Sequence, residues 1–142
     1  MCVFRYDDGG RADAGFKGDA GDCVTRAVAI ATGKPYADVY RDINDLGRER
    51  AKRGVRGKTS ARTGVQKGDS RAYLASLGWQ WHPTMTVGGG CTVHLRVDEL
   101  PAGRIVVKLS RHVAAVIDGV LHDTHDCSRG GTRCVYGYWT QK

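Results

Sequence analysis

From Arg111 to Thr124 the chain reads Arg-His-Val-Ala-Ala-Val-Ile-Asp-Gly-Val-Leu-His-Asp-Thr, two β-prone stretches separated by Asp118-Gly119. Asp-Gly accepts the positive φ angles of a tight turn whose twist matches that of the strands it joins, so the segment is constrained to a two-residue hairpin. With Asp118 and Gly119 central, Ile117 faces Val120, Val116 faces Leu121, Ala115 faces His122, Ala114 faces Asp123 and His112 faces His125. Directly opposed residues share a face. His112, Ala114, Val116, Asp123 and His125 therefore lie on one side, and His122 and Asp126 on the other. Asp123 sits diagonally from His112 at a Cβ separation of about 7–8 Å, which two long side chains close to a hydrogen bond. The small side chain of Ala114 leaves room for that contact.

The rest of the chain divides into helices first and strands second. A strand from Cys2 to Tyr6 meets the turn Asp8-Gly9-Gly10. Asp22 is the cap candidate for a mostly buried helix that starts at Cys23 and stops at Gly33. Pro35 opens an amphipathic helix with Tyr36, Val39, Tyr40, Ile43 and Leu46 on one face. Residues Gly47 to Gly68 are glycine-rich and basic, and predict a mobile, partly helical connection with little core. A third helix spans Asp69 to Leu77. Strands are expected at Trp79–Thr86, Thr92–Leu95, Arg104–Ser110, Arg111–Ile117, Val120–Thr124 and Thr132–Trp139. Trp79, Trp81, Trp139, Tyr136 and Tyr138 read as core and rim of the sheet, and Gly88-Gly89-Gly90 as a flexible flap. The class is α+β, an antiparallel sheet packed on an early helix.

A length of 142 residues suits one domain, 1–142, with a proper core. The longest apolar runs, Ala27–Ala31 and Val113–Ile117, are five residues long, against the roughly 20 of a membrane span, so no membrane partner is expected. The N-terminal residues lack the pattern of a secretory signal, which points to the cytoplasm and to reduced cysteines. Cysteines at 2, 23, 91, 127 and 134 are odd in number, so at least one thiol is unpaired within the chain. The net charge is +7, and much of the excess lies in Arg48, Arg50, Lys52, Arg53, Arg56 and Lys58. That stretch is a candidate contact for nucleic acid or another anion, but no aromatic residue is interleaved for base stacking, so a solvated surface is favoured.

Cys23, at the first turn of its helix, faces the positive end of the helix dipole and unpaired backbone N–H groups, an environment that favours thiolate. A nucleophilic thiol also needs a base, and the base an orienting acceptor; His112 and Asp123 supply both types on one hairpin face. The order of a Cys on an early helix, a His opening a strand and an Asp closing the next resembles the papain-like cysteine hydrolases. Gly21-Asp22-Cys23-Val24-Thr25-Arg26-Ala27 resembles the nucleophile segment of ovarian-tumour-type deubiquitinases. His112 to Gly119 with Asp123-Thr124 resembles the His–Asp hairpin of bacteriocin-processing and transglutaminase-like members, and the chain also looks like small phage- and prophage-encoded proteins. The resemblance implies a papain-like fold, no cofactor, and a protein or peptide substrate. Cys23 would be the nucleophile, His112 the base and then the acid, and Asp123 the group that fixes the imidazole. Its oxyanion donors would be the Cys23 N–H and an upstream main-chain group at Asp19, Gly21 or Asp22, because papain's glutamine has no counterpart here.

Two other readings use the same residues. His122, His125, Asp126 and Cys127 are metal-ligand types at short spacing, although strand alternation sends neighbours to opposite faces. A non-catalytic binding protein of the same fold, engaging an anionic partner, would share the hairpin. Gly88-Gly89-Gly90 lacks the lysine and helix of a phosphate loop.

Overall fold

The computed structural model describes residues 3–18, 20–86 and 88–142; Cys2 and the candidate donor Asp19 lie outside the described residues. The chain forms β1 (Val3–Tyr6), α1 (Cys23–Thr32), α2 (Tyr36–Lys52), α3 (Lys67–Ser76), β2 (Trp79–Pro83), β3 (Arg104–Leu109), β4 (His112–Ile117), β5 (Val120–Asp123) and β6 (Gly137–Gln141). The six strands make one sheet in the order β1-β5-β4-β3-β6-β2. The fold is α+β. The sheet is mixed rather than wholly antiparallel, because β1 joins the edge parallel to β5, pairing Tyr6 with Asp123.

The hairpin register is the expected one, with Ala115 opposite His122 and Ile117 opposite Val120, and Asp118 and Gly119 both at positive φ. Alternation along β3 and β4 explains why their sequences are nearly continuous in apolar residues: both faces are covered. Val106, Val113 and Ala115 pack under α1 and α2 with Val28, Val39 and Ile43. Ile105, Val107, Leu109, Ala114 and Val116 pack on the other side against Leu95, Leu121, Cys127 and Val135. Ala27, Ala31 and Ala115, all buried, let α1 approach β4 closely.

Part of the 47–68 stretch is helical, as expected: α2 runs through Gly47 to Lys52, and Gly47 is required there by packing, since a Cβ at that position would collide with the Thr59 carbonyl oxygen. Other expectations need correction. The connection after α2 is not a loose, coreless loop. Ala61 is fully buried, its N–H donates to Asn44 Oδ1 at 2.9 Å, and its carbonyl accepts from Thr25 Oγ1 at 2.8 Å. Finally, Cys91 and Cys134 are joined in a disulfide rather than left as separate thiols. That link, with Val135 N–H to Val93 O and Leu95 N–H to Arg133 O at 2.8 Å each, holds residues 93–95 against 133–135. The last strand therefore begins at Gly137 rather than Thr132, and residues 92–95 make only a bridge at His94. Among the described residues, Cys23 and Cys127 are free. Among the described residues no helix is long and apolar enough to cross a membrane.

Gly47→Ala, normally favourable in a helix interior, is expected to lower stability by about 1–3 kcal/mol because the added methyl must displace the Thr59 backbone; urea unfolding measures it. Among the described cysteines, thiol labelling of the native protein without reductant should mark Cys23, reach buried Cys127 only on unfolding, and spare Cys91 and Cys134 until reductant is added.

Candidate active site

Cys23 opens α1, and His112 opens β4 immediately after a two-residue turn in which Arg111 is held at φ 55°. Because α1 lies along β4, the first turn of the helix comes down on the start of that strand. There Cys23, His112 and Val113 line one cleft, near enough for the imidazole and the Val113 N–H to act on the thiol. On the far side of the ring, His112 Nε2 meets Asp123 Oδ2 at 2.6 Å. The ring thus bridges sulfur and carboxylate, and with Nε2 engaged by Asp123, Nδ1 is the nitrogen left to exchange a proton with sulfur.

The electrostatics follow from these contacts. Burial pushes the Cys23 thiol up, but hydrogen bonding and charge from His112, the Val113 N–H and the Arg26 charge outweigh it and draw the thiol below its ordinary value. Burial would strip the proton from His112, yet bonds to Asp123, Cys127 and Cys23 raise it to about 11. Asp123 is likewise opposed by burial but held below the carboxylate range by His112, the Thr124 N–H and Arg26. A thiolate–imidazolium pair is the state these shifts favour.

Asp123 is only 2% exposed, and its second oxygen is also occupied, by Thr124 N–H at 2.7 Å and the Arg26 guanidinium at 3.3 Å. Arg26 in turn pairs with Asp22, which accepts a further bond from the Tyr36 hydroxyl at 2.5 Å and lies 3.6 Å from Arg11. Asp22 therefore does not cap α1 with its side chain, and its carboxylate is committed to this buried network rather than offered to a substrate. Gly21 lines the cleft, packed over the Thr63 backbone. The first N–H of α1 that bonds back along the helix is that of Arg26, to Asp22 O, and among the described residues those of Cys23, Val24 and Thr25 have no acceptor. These are the oxyanion donors the site offers beside the sulfur.

A cleft of about 580 Å³ opens over this group, lined by Gly21, Cys23, His112 and His125 together with Lys108 and Arg111. Cys127 also touches the His112 ring but is buried in the opposite core and does not line the cleft, so Cys23 is the thiol a substrate would reach. Sequence reasoning missed Arg26 and Lys108; it placed His125 on the His112 face but gave it only as a metal-ligand type, and its ring centroid lies 5.2 Å from that of His112. For Arg26 the signal was present, since it interrupts an apolar helix four residues after an acid; the structure shows that Lys108 shares with Val106 and Val113 the face that α1 covers.

The remaining candidates disperse. His122 faces Asp7 at 3.1 Å and Asp126 binds the Ser128 N–H and hydroxyl, so His122, His125, Asp126 and Cys127 do not form one metal set. Among the described residues, the group that could hold a cation is instead His112, Asp123 and His125, whose ligand atoms lie within 4.8 Å of one another. In the basic stretch, Arg48 pairs with Asp45, Lys52 with Glu49 at 3.6 Å, and Arg50 with Asp69 at 2.6 Å. Arg53, Arg56 and Lys58 remain at the surface. Gly88, Gly89 and Gly90 do not line the Cys23 cleft.

No family model, curated protein or solved structure matches the chain.

His112 stabilises the fold fully below its ordinary pKa of about 6.5, an effect lost as pH rises through about 11; the Asp123 contribution is present above about 4 and lost as pH falls through its lowered folded value. Reaction of Cys23 with iodoacetamide should accordingly persist at pH 6, where an unpaired thiol is almost wholly protonated. Asp123→Asn is expected to cut the pH 6 rate at least about tenfold and to move the rate profile toward the ordinary thiol range near 8.5.

Proposed function

We propose that the chain is a Cys–His–Asp thiol hydrolase or transferase of papain-like type, acting on an amide, isopeptide or thioester bond of a protein or peptide. The observation that carries this reading is the single imidazole of His112 held between the Cys23 thiol and the buried Asp123 carboxylate at the floor of an open cleft. A structural cysteine needs no ionised partner, and a structural His–Asp pair needs no thiol; their convergence on solvent is what nucleophilic catalysis requires.

In the reaction, the Cys23 thiolate attacks the substrate carbonyl carbon and the carbonyl oxygen takes the negative charge, stabilised by the Cys23 and Val24 N–H groups. His112, as imidazolium, gives its proton to the leaving amine or thiol as the bond to the carbonyl breaks. Neutral His112 then takes a proton from water, or from an acceptor amine, as that group attacks the acyl-thioester and Cys23 leaves as thiolate. Asp123 keeps the ring in register and favours its charged form, and Arg26 holds Asp123. Residence in the cytoplasm belongs to the same proposal on the ground of the free Cys23 thiol, while the Cys91–Cys134 disulfide weighs toward an oxidising compartment.

Incubation with p-nitrophenyl acetate or a short acyl thioester should leave an acyl group on the Cys23 peptide, detected by mass spectrometry. Cys23→Ala should abolish it, and His112→Ala should slow acylation by about 10²–10⁴-fold. Acylation spread over Cys23 and Cys127 alike, or absent from a folded protein, would refute the proposal.

A further inference from the structure

Beside the Cys23 cleft lies a second one of about 390 Å³, and Lys108 lines both. Its other cations are Lys67, the first residue of α3, and Arg71, one turn further along the same helix face. Among the described residues no acid lines this cleft. The nearest acid on the helix, Asp69, is turned away to Arg50 and Thr59. Among the described residues Lys67, Arg71 and Lys108 have no carboxylate partner. Two like charges four apart on a helix, at its positive end, repel each other and the dipole. Lys108 is half-buried, and its proton is disfavoured by that burial, favoured by the Cys23 thiolate and disfavoured again by Lys67.

The wall between these charges is apolar and partly exposed. Trp81 lies under the Arg71 guanidinium at 4.6 Å, which presets the plane of that fork and leaves its edge N–H groups for an acceptor. Met85 and Tyr136, 40% and 36% exposed, complete the wall. Three uncompensated cations around a concave apolar surface lack one component, an anion on a short apolar stem.

We propose that this cleft is a subsite for an anionic group of the substrate, a carboxylate or a phosphate, held by Lys67, Arg71 and Lys108 while the neighbouring carbonyl meets Cys23. Its register with Cys23 rests on the thiol-chemistry reading; the anion site itself does not. Lys108, shared by the two clefts, would then touch both the anion and the region of the reacting sulfur, linking recognition to chemistry.

The test compares alkylation of Cys23 by N-acetyl aminoacyl chloromethyl ketones carrying Glu, phosphoserine or Gln. At least one of the anionic probes should react tenfold or more faster than Gln, and which of the two is faster separates carboxylate from phosphate. Lys67→Gln and, separately, Arg71→Gln should each lower that ratio several-fold, as should raised salt, whereas Lys52→Gln, which removes the same charge elsewhere, should keep it. Equal rates for all three probes with labelling confined to Cys23 would overturn the subsite and leave the thiol reading standing. If no probe labels Cys23, the thiol reading fails. Calorimetric titration with inorganic phosphate and N-acetylglutamate then decides the site: binding weakened by Lys67→Gln upholds it, and no binding of either overturns it.

Discussion

A single carboxylate, that of Asp123, is the point on which α1, β4, β5 and β1 converge. A charge this deeply buried is tolerated only when its lone pairs are filled, and removing one partner of such a pair costs roughly 3–5 kcal/mol. Here the partners come from different elements: the His112 ring from β4, the Thr124 N–H from the chain just after β5, and the Arg26 guanidinium from α1. Even the Asp123 backbone oxygen is used, by the Asp7 N–H at 2.9 Å beyond the end of β1. Satisfying this group therefore sets where the helix stands relative to the sheet. Because Cys23 begins that helix, the same constraint brings its sulfur to the imidazole. The interactions that hold the fold together at this end are the ones that prepare the site, which is why Arg26, whose guanidinium is engaged by Asp22 and Asp123, belongs to the functional description as a positioning residue.

Charge elsewhere is sorted in a way that a count of residues hides. Although the chain carries +7, half of the conspicuous basic run from Arg48 to Lys58 is matched by carboxylates of α2 and α3. Lys67 and Arg71 on α3 come together with Lys108 and Arg111, about 40 residues later in the chain, at two adjoining clefts. A positive field there favours thiolate at Cys23 and attracts an anionic ligand, so one electrostatic feature serves both roles.

The hairpin was legible because its information is local: a two-residue turn dictates register, and register dictates which side chains share a face. That reasoning placed Asp123 beside His112 correctly. Helix α1 was legible for a similar reason, as was the stop at Gly33, which adopts φ 76°. Residues 47–68 were misjudged because glycine and arginine ordinarily signal exposed loops, whereas here Gly47 is demanded by a close approach of Thr59 and Arg50 is turned inward to Asp69. Lys108 was passed over because one cation in an apolar strand gives no sign of what lies across from it.

The amino-acid order by itself determined the α+β class, the hairpin and the residue types able to do thiol chemistry, since turn preference and side-chain periodicity act over a few neighbours. Only the tertiary structure decided that Cys23 and His112 share a cleft, that Arg26 bridges Asp22 and Asp123, that Cys91 joins Cys134, and that Lys108 joins the α3 cations Lys67 and Arg71 at one cleft. Those pairings span 43 to 97 residues for the disulfide and the Arg26–Asp123 bridge, and contacts of that range are selected by how whole layers pack and by the need to compensate buried charge, not by any local preference.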